Sequence, residues 1–185
     1  MSNHIHLWDY LSVMKAIKPI KSDVLVWADN IRGPSSKMIR AVGGIPIPEG
    51  NQKAAIKYMS DVNKYIRCGG WLHIYAEGSM WEYYKPIRPF KVGAAHLAIK
   101  NHVPVIPVAF TYRNPSWVRR KFFHQIALLT LHIGEAIFPD EAMSESEAKE
   151  DLTIKLHDSV CSLAGINPSE NIYPEIYHKN KRIDY

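Results

Sequence analysis

Short apolar runs of strand length alternate with helical stretches along most of this chain, and that alternation restricts the fold more than any other feature. Residues 23–28 (DVLVWA), 71–76 (WLHIYA), 104–112 (PVIPVAFTY) and 126–134 read as strands, rich in β-branched and aromatic side chains. Between them lie helical patterns. In residues 9–18, Tyr10, Leu11, Val13, Met14 and Ile17 recur at steps of three and four before Pro19. A short helix is expected from Ser35 or Ser36 through Val42, with Gly43-Gly44 as its exit. Residues 51–67 form the clearest helix, with Ala55, Ile56, Met59, Val62 and Ile66 on one side and Gly69-Gly70 as its stop. Helices are also expected over 92–100 and over 144–163, the latter with Leu152, Leu156, Val160 and Leu163 as its apolar stripe. Such alternation predicts an α/β fold, a mostly parallel mixed sheet flanked by helices. In residues 45–48 (IPIP), two prolines forbid a central strand with every ladder bond made, so a strand end or a loop is expected there. With 46% hydrophobic residues in 185, the chain suits one domain, expected over residues 1–165, followed by an irregular tail over 166–185.

Charge and cysteine usage narrow the setting. The formal net charge of +5 favours an acidic partner: an anionic lipid surface, an acidic carrier protein, a phosphorylated substrate or nucleic acid. A nucleic-acid-binding domain has only that charge in its favour, since no reader motif or stacking platform stands in the sequence, and no nucleic-acid partner is expected. Cys68 and Cys161 are far apart and in no C-x-x-C pattern, which points to reduced thiols in a cytosolic setting. No apolar run reaches the length of a membrane span and no signal peptide precedes His4. Residues 114–124 (NPSWVRRKFFH) mix three basic side chains with Trp117, Phe122 and Phe123. Two readings stand: a membrane-interface segment, or a partly buried connection with a solvated basic edge.

The first place where acid/base chemistry can be assembled is residues 3–9, which read N-H-x-x-x-x-D. On one continuous helix His4 and Asp9 would point about 140° apart. They meet only if His4 lies in the approach loop and Asp9 in the first turn of the following helix, where a carboxylate also suits the positive helix end. Asp9 would then accept the imidazole N–H, fix its tautomer, and leave the other ring nitrogen to take a proton from a substrate hydroxyl. A metal site using His4, His6 and Asp9 is the alternative, with no later cluster to supply further ligands. Glu77 falls at the carboxyl end of a predicted strand, where ligands of such sheets sit.

At Glu77 the sequence resembles the glycerophospholipid acyltransferase family, whose members acylate glycerol 3-phosphate or lysophosphatidic acid. Asn3-His4 with Asp9 resembles the first motif of that family. Gly43-Gly44-Ile45-Pro46-Ile47 lies where its second, glycine-led motif falls. Glu77-Gly78-Ser79, followed by Pro89-Phe90-Lys91 and Gly93-Ala94, resembles the third, and residues 103–108 (VPVIPV) resemble the fourth. The order of the blocks and the gap of about 70 residues between the histidine and the E-G make coincidence improbable. Two departures stand out. The family commonly carries arginine at the end of the second motif and just after E-G-T, both associated with the acceptor's phosphate; Pro48 and Met80 occupy those places here. Family members also have a strand and usually membrane-associated helices before the histidine, so the chain is expected to be N-terminally truncated relative to them.

The resemblance implies transfer of a fatty acyl group from acyl-CoA or acyl-carrier protein to the hydroxyl of a lysophospholipid. His4 is the implied base and Asp9 its orienter. Glu77, Gly78 and Ser79 are the implied acceptor site, with Lys85, Arg88 and Lys91 able to supply the phosphate's cation. Oxyanion donors are expected around Gly78 or in residues 45–47. No G-x-S-x-G elbow occurs, so a serine acyl-enzyme has no motif behind it. No metal or organic cofactor is required. The expected location is peripheral, at the cytoplasmic face of the membrane and against its anionic surface. The alternative within the same family is a non-catalytic or truncated lipid-binding member.

Overall fold

In the computed structural model, which describes residues 1–171, the strand β1 (Ser22–Trp27) is the centre of a three-stranded parallel sheet. On one side it pairs with β2 (Gly44–Ile47), placing Val24 opposite Gly44 and Trp27 opposite Ile47. On the other it pairs with β3 (Trp71–His73), placing Ser22 opposite Trp71. Residues 45–47 thus lie in an edge strand, where a proline costs no ladder bond on the open side, and Pro48 falls just past its end. Two further strands, β4 (Val108–Arg113) and β5 (Leu128–Ile133), form an antiparallel hairpin. β4 starts later than the apolar run does. Pro104 and Pro107 cannot donate to a ladder, and Val105 instead makes an isolated bridge to Ile137.

Residues 1–3 join the two sheets. Ser2 bridges Tyr75 and Val108, both in parallel sense. Its N–H donates to the Ile74 carbonyl at 3.0 Å and its carbonyl accepts from Ala76 at 3.0 Å, while the Val108 N–H donates to Met1 at 2.8 Å. The result is a mixed sheet, mostly parallel, with the antiparallel hairpin at one end. The asparagine next in line extends this ladder with its side chain: Asn3 donates to the Phe110 carbonyl at 3.0 Å and accepts from the Phe110 N–H at 2.8 Å.

The helices follow local rules closely. α1 (Asp9–Ala16) carries its acid in the first turn. α2 (Ser36–Ala41) ends at Gly43, whose φ of +83° and whose closeness to the Asp23 side chain leave no room for a β-carbon. α3 (Gln52–Arg67) is capped by the Asn51 side chain, which accepts from the Ala54 N–H. α4 (Gly93–Asn101) packs Ala94, Ala95 and Ala98 against Leu152 and Leu156 of α6 (Glu145–Leu163). Small residues on one helix let the second approach closely. The α6 N-terminus is a capping box between Ser144 and Glu147. Its Val160 and Cys161 pack with Ala109 of β4, all three fully buried. On the other face of the sheet, Tyr10 and Val13 of α1 meet Val24, Val108 and Phe110.

One helix was not expected: α5 (Trp117–Phe123), in the connection between β4 and β5, has no buried residue. Among the described residues no helix is long and apolar enough to cross a membrane. Of the expected tail, residues 168–170 form a 3-10 turn, and residues 172–185 lie outside the described residues.

Candidate active site

The site assembles at the carboxyl edge of the sheet, where residues 1–3 run out between β3 and β4. His4 is the first residue past that bridge and Asp9 the first of α1, so the loop and helix placement required by their spacing is met. His4 Nδ1 lies 3.1 Å from Asp9 Oδ2. The same oxygen accepts the backbone N–H of Ile5 at 2.9 Å and of His6 at 3.0 Å. Asp9 is fully buried, so its carboxylate cannot swing to solvent and its acceptor geometry is fixed. Because a carboxylate only accepts here, Nδ1 carries the imidazole proton and Nε2 presents its lone pair. Nε2 has no hydrogen-bond partner among the described residues.

Tyr75 holds the other face of the ring. It stacks on His4 with centroids 3.6 Å apart and planes 17° from parallel. Burial, and the neighbouring Asp9 carboxylate after it, hold the Tyr75 hydroxyl's pKa well above the usual phenol range. Behind it, burial pushes the His73 imidazole well below its ordinary value; its Nε2 lies 3.1 Å from Ser2 Oγ.

Glu77 lies at the end of the β3 segment, as its sequence position suggests, but its carboxylate points inward. Oε2 accepts the His4 backbone N–H at 3.1 Å and the Arg88 guanidinium at 2.7 Å, and Oε1 accepts the Arg88 N–H at 2.9 Å. The two side chains are 1% and 9% exposed. Burial raises the Glu77 pKa, opposed by the Arg88 charge and by these hydrogen bonds. Arg88 also reaches Ser79 Oγ at 2.6 Å and the Ser79 carbonyl, and it lies 4.3 Å over the Trp81 ring. Neither Glu77 nor Arg88 therefore offers the solvent-facing contact expected for an acceptor. Both are committed to each other and to the loop that closes over His4, in which Trp81 N–H donates to the His4 carbonyl at 3.0 Å.

The remaining candidates stay at the surface. Gly78, at φ +73°, makes the turn; its carbonyl accepts the Trp27 indole N–H at 3.0 Å. Lys91 lies across it, so close that a β-carbon on Gly78 would fall 2.7 Å from Lys91 Nζ. Ser79, Lys85 and Lys91 are exposed. The Gly78 N–H is occupied by the Tyr75 carbonyl at 3.1 Å, which removes it as an oxyanion donor. Pro48 follows β2, and Met80 is exposed beside Ser79. His6 turns away from a metal role: its Nδ1 accepts the Trp8 N–H at 3.1 Å. Among the described residues no group of three or more His, Cys, Asp or Glu side chains is placed to hold a metal.

Sequence reasoning missed Tyr75 and the Glu77–Arg88 pair. The only signal for the first was its position in the 71–76 run just before Glu77, an aromatic residue near the carboxyl end of a strand.

A parallel sheet with a histidine–aspartate pair at its carboxyl edge places that pair where ligands of α/β sheets sit. The acyltransferase family model matches residues 1–111, and the chain belongs to that family. Among solved structures it is similar to the 1-acyl-sn-glycerophosphate (LPA) acyltransferase PlsC from Thermotoga maritima. That match has a TM-score of 0.56 and 18% sequence identity, over 88% of this chain and 64% of PlsC. No curated protein matches the sequence.

Proposed function

We propose that this chain transfers a fatty acyl group from a thioester, acyl-CoA or acyl-carrier protein, to the hydroxyl of a lysophospholipid of the lysophosphatidic acid kind. The observation that carries the reading is the His4–Asp9 pair, with Nδ1 bound at 3.1 Å and Nε2 left open at the strand ends. His4 Nε2 takes the acceptor's hydroxyl proton as the oxygen attacks the thioester carbonyl. Collapse of the tetrahedral adduct breaks the C–S bond, and the imidazolium returns its proton to the leaving thiolate. Asp9 and the Tyr75 ring hold the imidazole in place, with Asp9 fixing its tautomer. Positioning and electrostatics contribute beyond the roughly 10²- to 10⁴-fold of general base catalysis.

Glu77 and Arg88 serve this site as its frame. The acceptor lies along Gly78, Ser79 and Lys91, with Lys91 as the principal cation for its phosphate and Lys85 as a second on the same loop. The N–H groups of Ser79 and Met80 succeed Gly78 as oxyanion donors. The protein works peripherally at the cytoplasmic face of the membrane. A lipid-binding member without transfer is the competing reading, favoured by Pro48 and Met80 where the family often has arginine.

The test is acyl transfer by the purified chain from both donor types to a panel of lysophospholipids and glycerol 3-phosphate, with His4→Ala alongside. Product from the wild type and none from a folded His4→Ala is expected. Equal product from both would refute the mechanism, and lipid binding without product from either would favour the competing reading.

A further inference from the structure

α5 is an element that packing does not explain. Seven residues long, it buries none of them, and Trp117, Phe122 and Phe123 are 69%, 64% and 71% exposed. Isolated helices of that length are marginal in water, so an unpacked aromatic helix gains little from folding on its own. Its cations make no ion pair: among the described residues none uses Arg119, Arg120 or Lys121, nor Arg113 at the end of β4, and Lys121 lies only over the Phe122 ring, 5.9 Å from its centroid. From Arg113 to Gly134 the sequence contains no acidic residue.

The topology places α5 beside the site. It leaves the carboxyl end of β4, the strand whose Phe110 is bonded by Asn3 and whose Tyr112 hydroxyl donates to the Ile5 carbonyl at 2.5 Å. The same edge carries two more exposed indoles. Trp8 ends the loop that follows His4, and Trp27 ends β1 with its N–H on the Gly78 carbonyl. Exposed indole and phenyl rings at the same edge of the sheet, with arginine and lysine that make no ion pair among the described residues, match the head-group region of an anionic bilayer: rings at the polar–apolar boundary, cations on lipid phosphates.

We infer that this edge is the surface on which the protein rests on anionic lipid, that α5 enters the interface, and that the His4 site thereby faces the bilayer. The inference deepens the acyl-transfer reading and rests on it in one respect, that a lysophospholipid acceptor would then reach His4 directly from the membrane. A second copy of the chain is a poorer occupant, because a two-fold contact through α5 would set its cations against the same cations of the partner.

The experiment measures co-sedimentation of the full chain with vesicles of phosphatidylcholine alone and with one third phosphatidylglycerol. Tryptophan quenching by brominated lipid is read in parallel, with no donor or acceptor present. Two variants accompany the wild type, W117S/F122S/F123S and R119E/R120E/K121E, each checked by its melting curve. The wild type is expected to bind the anionic vesicles with quenching. The charge reversal should weaken binding by more than about a hundredfold and the aromatic variant by at least about tenfold, with melting unchanged because the replaced side chains are exposed. Absence of wild-type binding, equal binding by either variant, or a lipid-free dimer that the variants abolish would overturn the inference. Since no substrate is present, those outcomes leave the transfer assay untouched, and a failed transfer assay leaves these unaffected.

Discussion

Replacing Arg88 with methionine tests the frame that holds His4. Methionine keeps the long apolar stem and removes the charge that faces Glu77. In the wild type, Glu77 Oε2 receives the guanidinium at 2.7 Å, and the two side chains are 1% (Glu77) and 9% (Arg88) exposed. After Arg88→Met the buried carboxylate keeps only the N–H groups of His4, at 3.1 Å, and of residue 88, at 2.9 Å. Breaking one side of a buried pair costs about 3–5 kcal/mol, because the remaining charge is left uncompensated. The cost must also depend on pH. Burial already raises the Glu77 pKa from 4.5, and losing Arg88, the largest opposing influence, raises it further. A carboxyl raised in the folded state binds its proton more tightly folded than unfolded, so stability falls as pH rises from about 4.5 through the folded pKa. Urea unfolding at pH 7.5 and pH 4.5 should therefore give a gap to wild type of about 3–5 kcal/mol at the higher pH. At the lower pH the gap should be smaller by at least about 1.4 kcal/mol, the equivalent of one unit of pKa difference. The double variant Glu77→Gln/Arg88→Met should lose that pH dependence. A gap below about 1 kcal/mol at pH 7.5, or an equal gap at both pH values, would refute the account of a buried, charge-balanced frame.

Three further outcomes follow from the site and the core. Asp9→Asn should lower kcat for transfer by about 10²- to 10⁴-fold with KM nearly unchanged, since the amide can present N–H to Nδ1 and select the wrong tautomer; a drop of less than threefold would remove Asp9 from the mechanism. Tyr75→Phe should retain most of the activity while Tyr75→Leu loses at least about tenfold in kcat, and only the leucine variant should lose the upfield ring-current shift of the His4 proton resonances; identical shifts in both would contradict the stacking. Cys68 is exposed, whereas Cys161 is buried with its thiol pushed up to about 11, so a thiol reagent should modify the first quickly and the second only on unfolding.

Much of this architecture is local and was readable as such. The glycine exits and the strand–helix alternation each state a short-range preference that the tertiary structure keeps, whereas α2 starts without a side-chain bond from Ser35, and the caps that do form are at Asn51 and Ser144. His4 and Asp9 were legible because their spacing permits a meeting in only one way. The inward turn of Glu77 was not, because it depends on an arginine eleven residues later being folded back under Trp81. Nothing in periodicity says which way a strand-end carboxylate faces. α5 escaped for a different reason: its apolar residues form no core stripe, so the helical period had no buried face to reveal it. β4 began late because two prolines break a run that composition alone reads as continuous.

The bridge made by residues 1–3 has a kinetic consequence. Its partners lie at residues 74–76 and 106–110, so every backbone bond of that bridge, and the Asn3 pair with Phe110, closes a loop of more than 70 residues. Contacts of such separation form late, after helices and the local hairpin have already organised. Catalytic competence should then be among the last properties gained on refolding, trailing helical content. The shift of the His4 ring under Tyr75 would act as a clock for completion of the sheet, reporting the moment its two halves are joined.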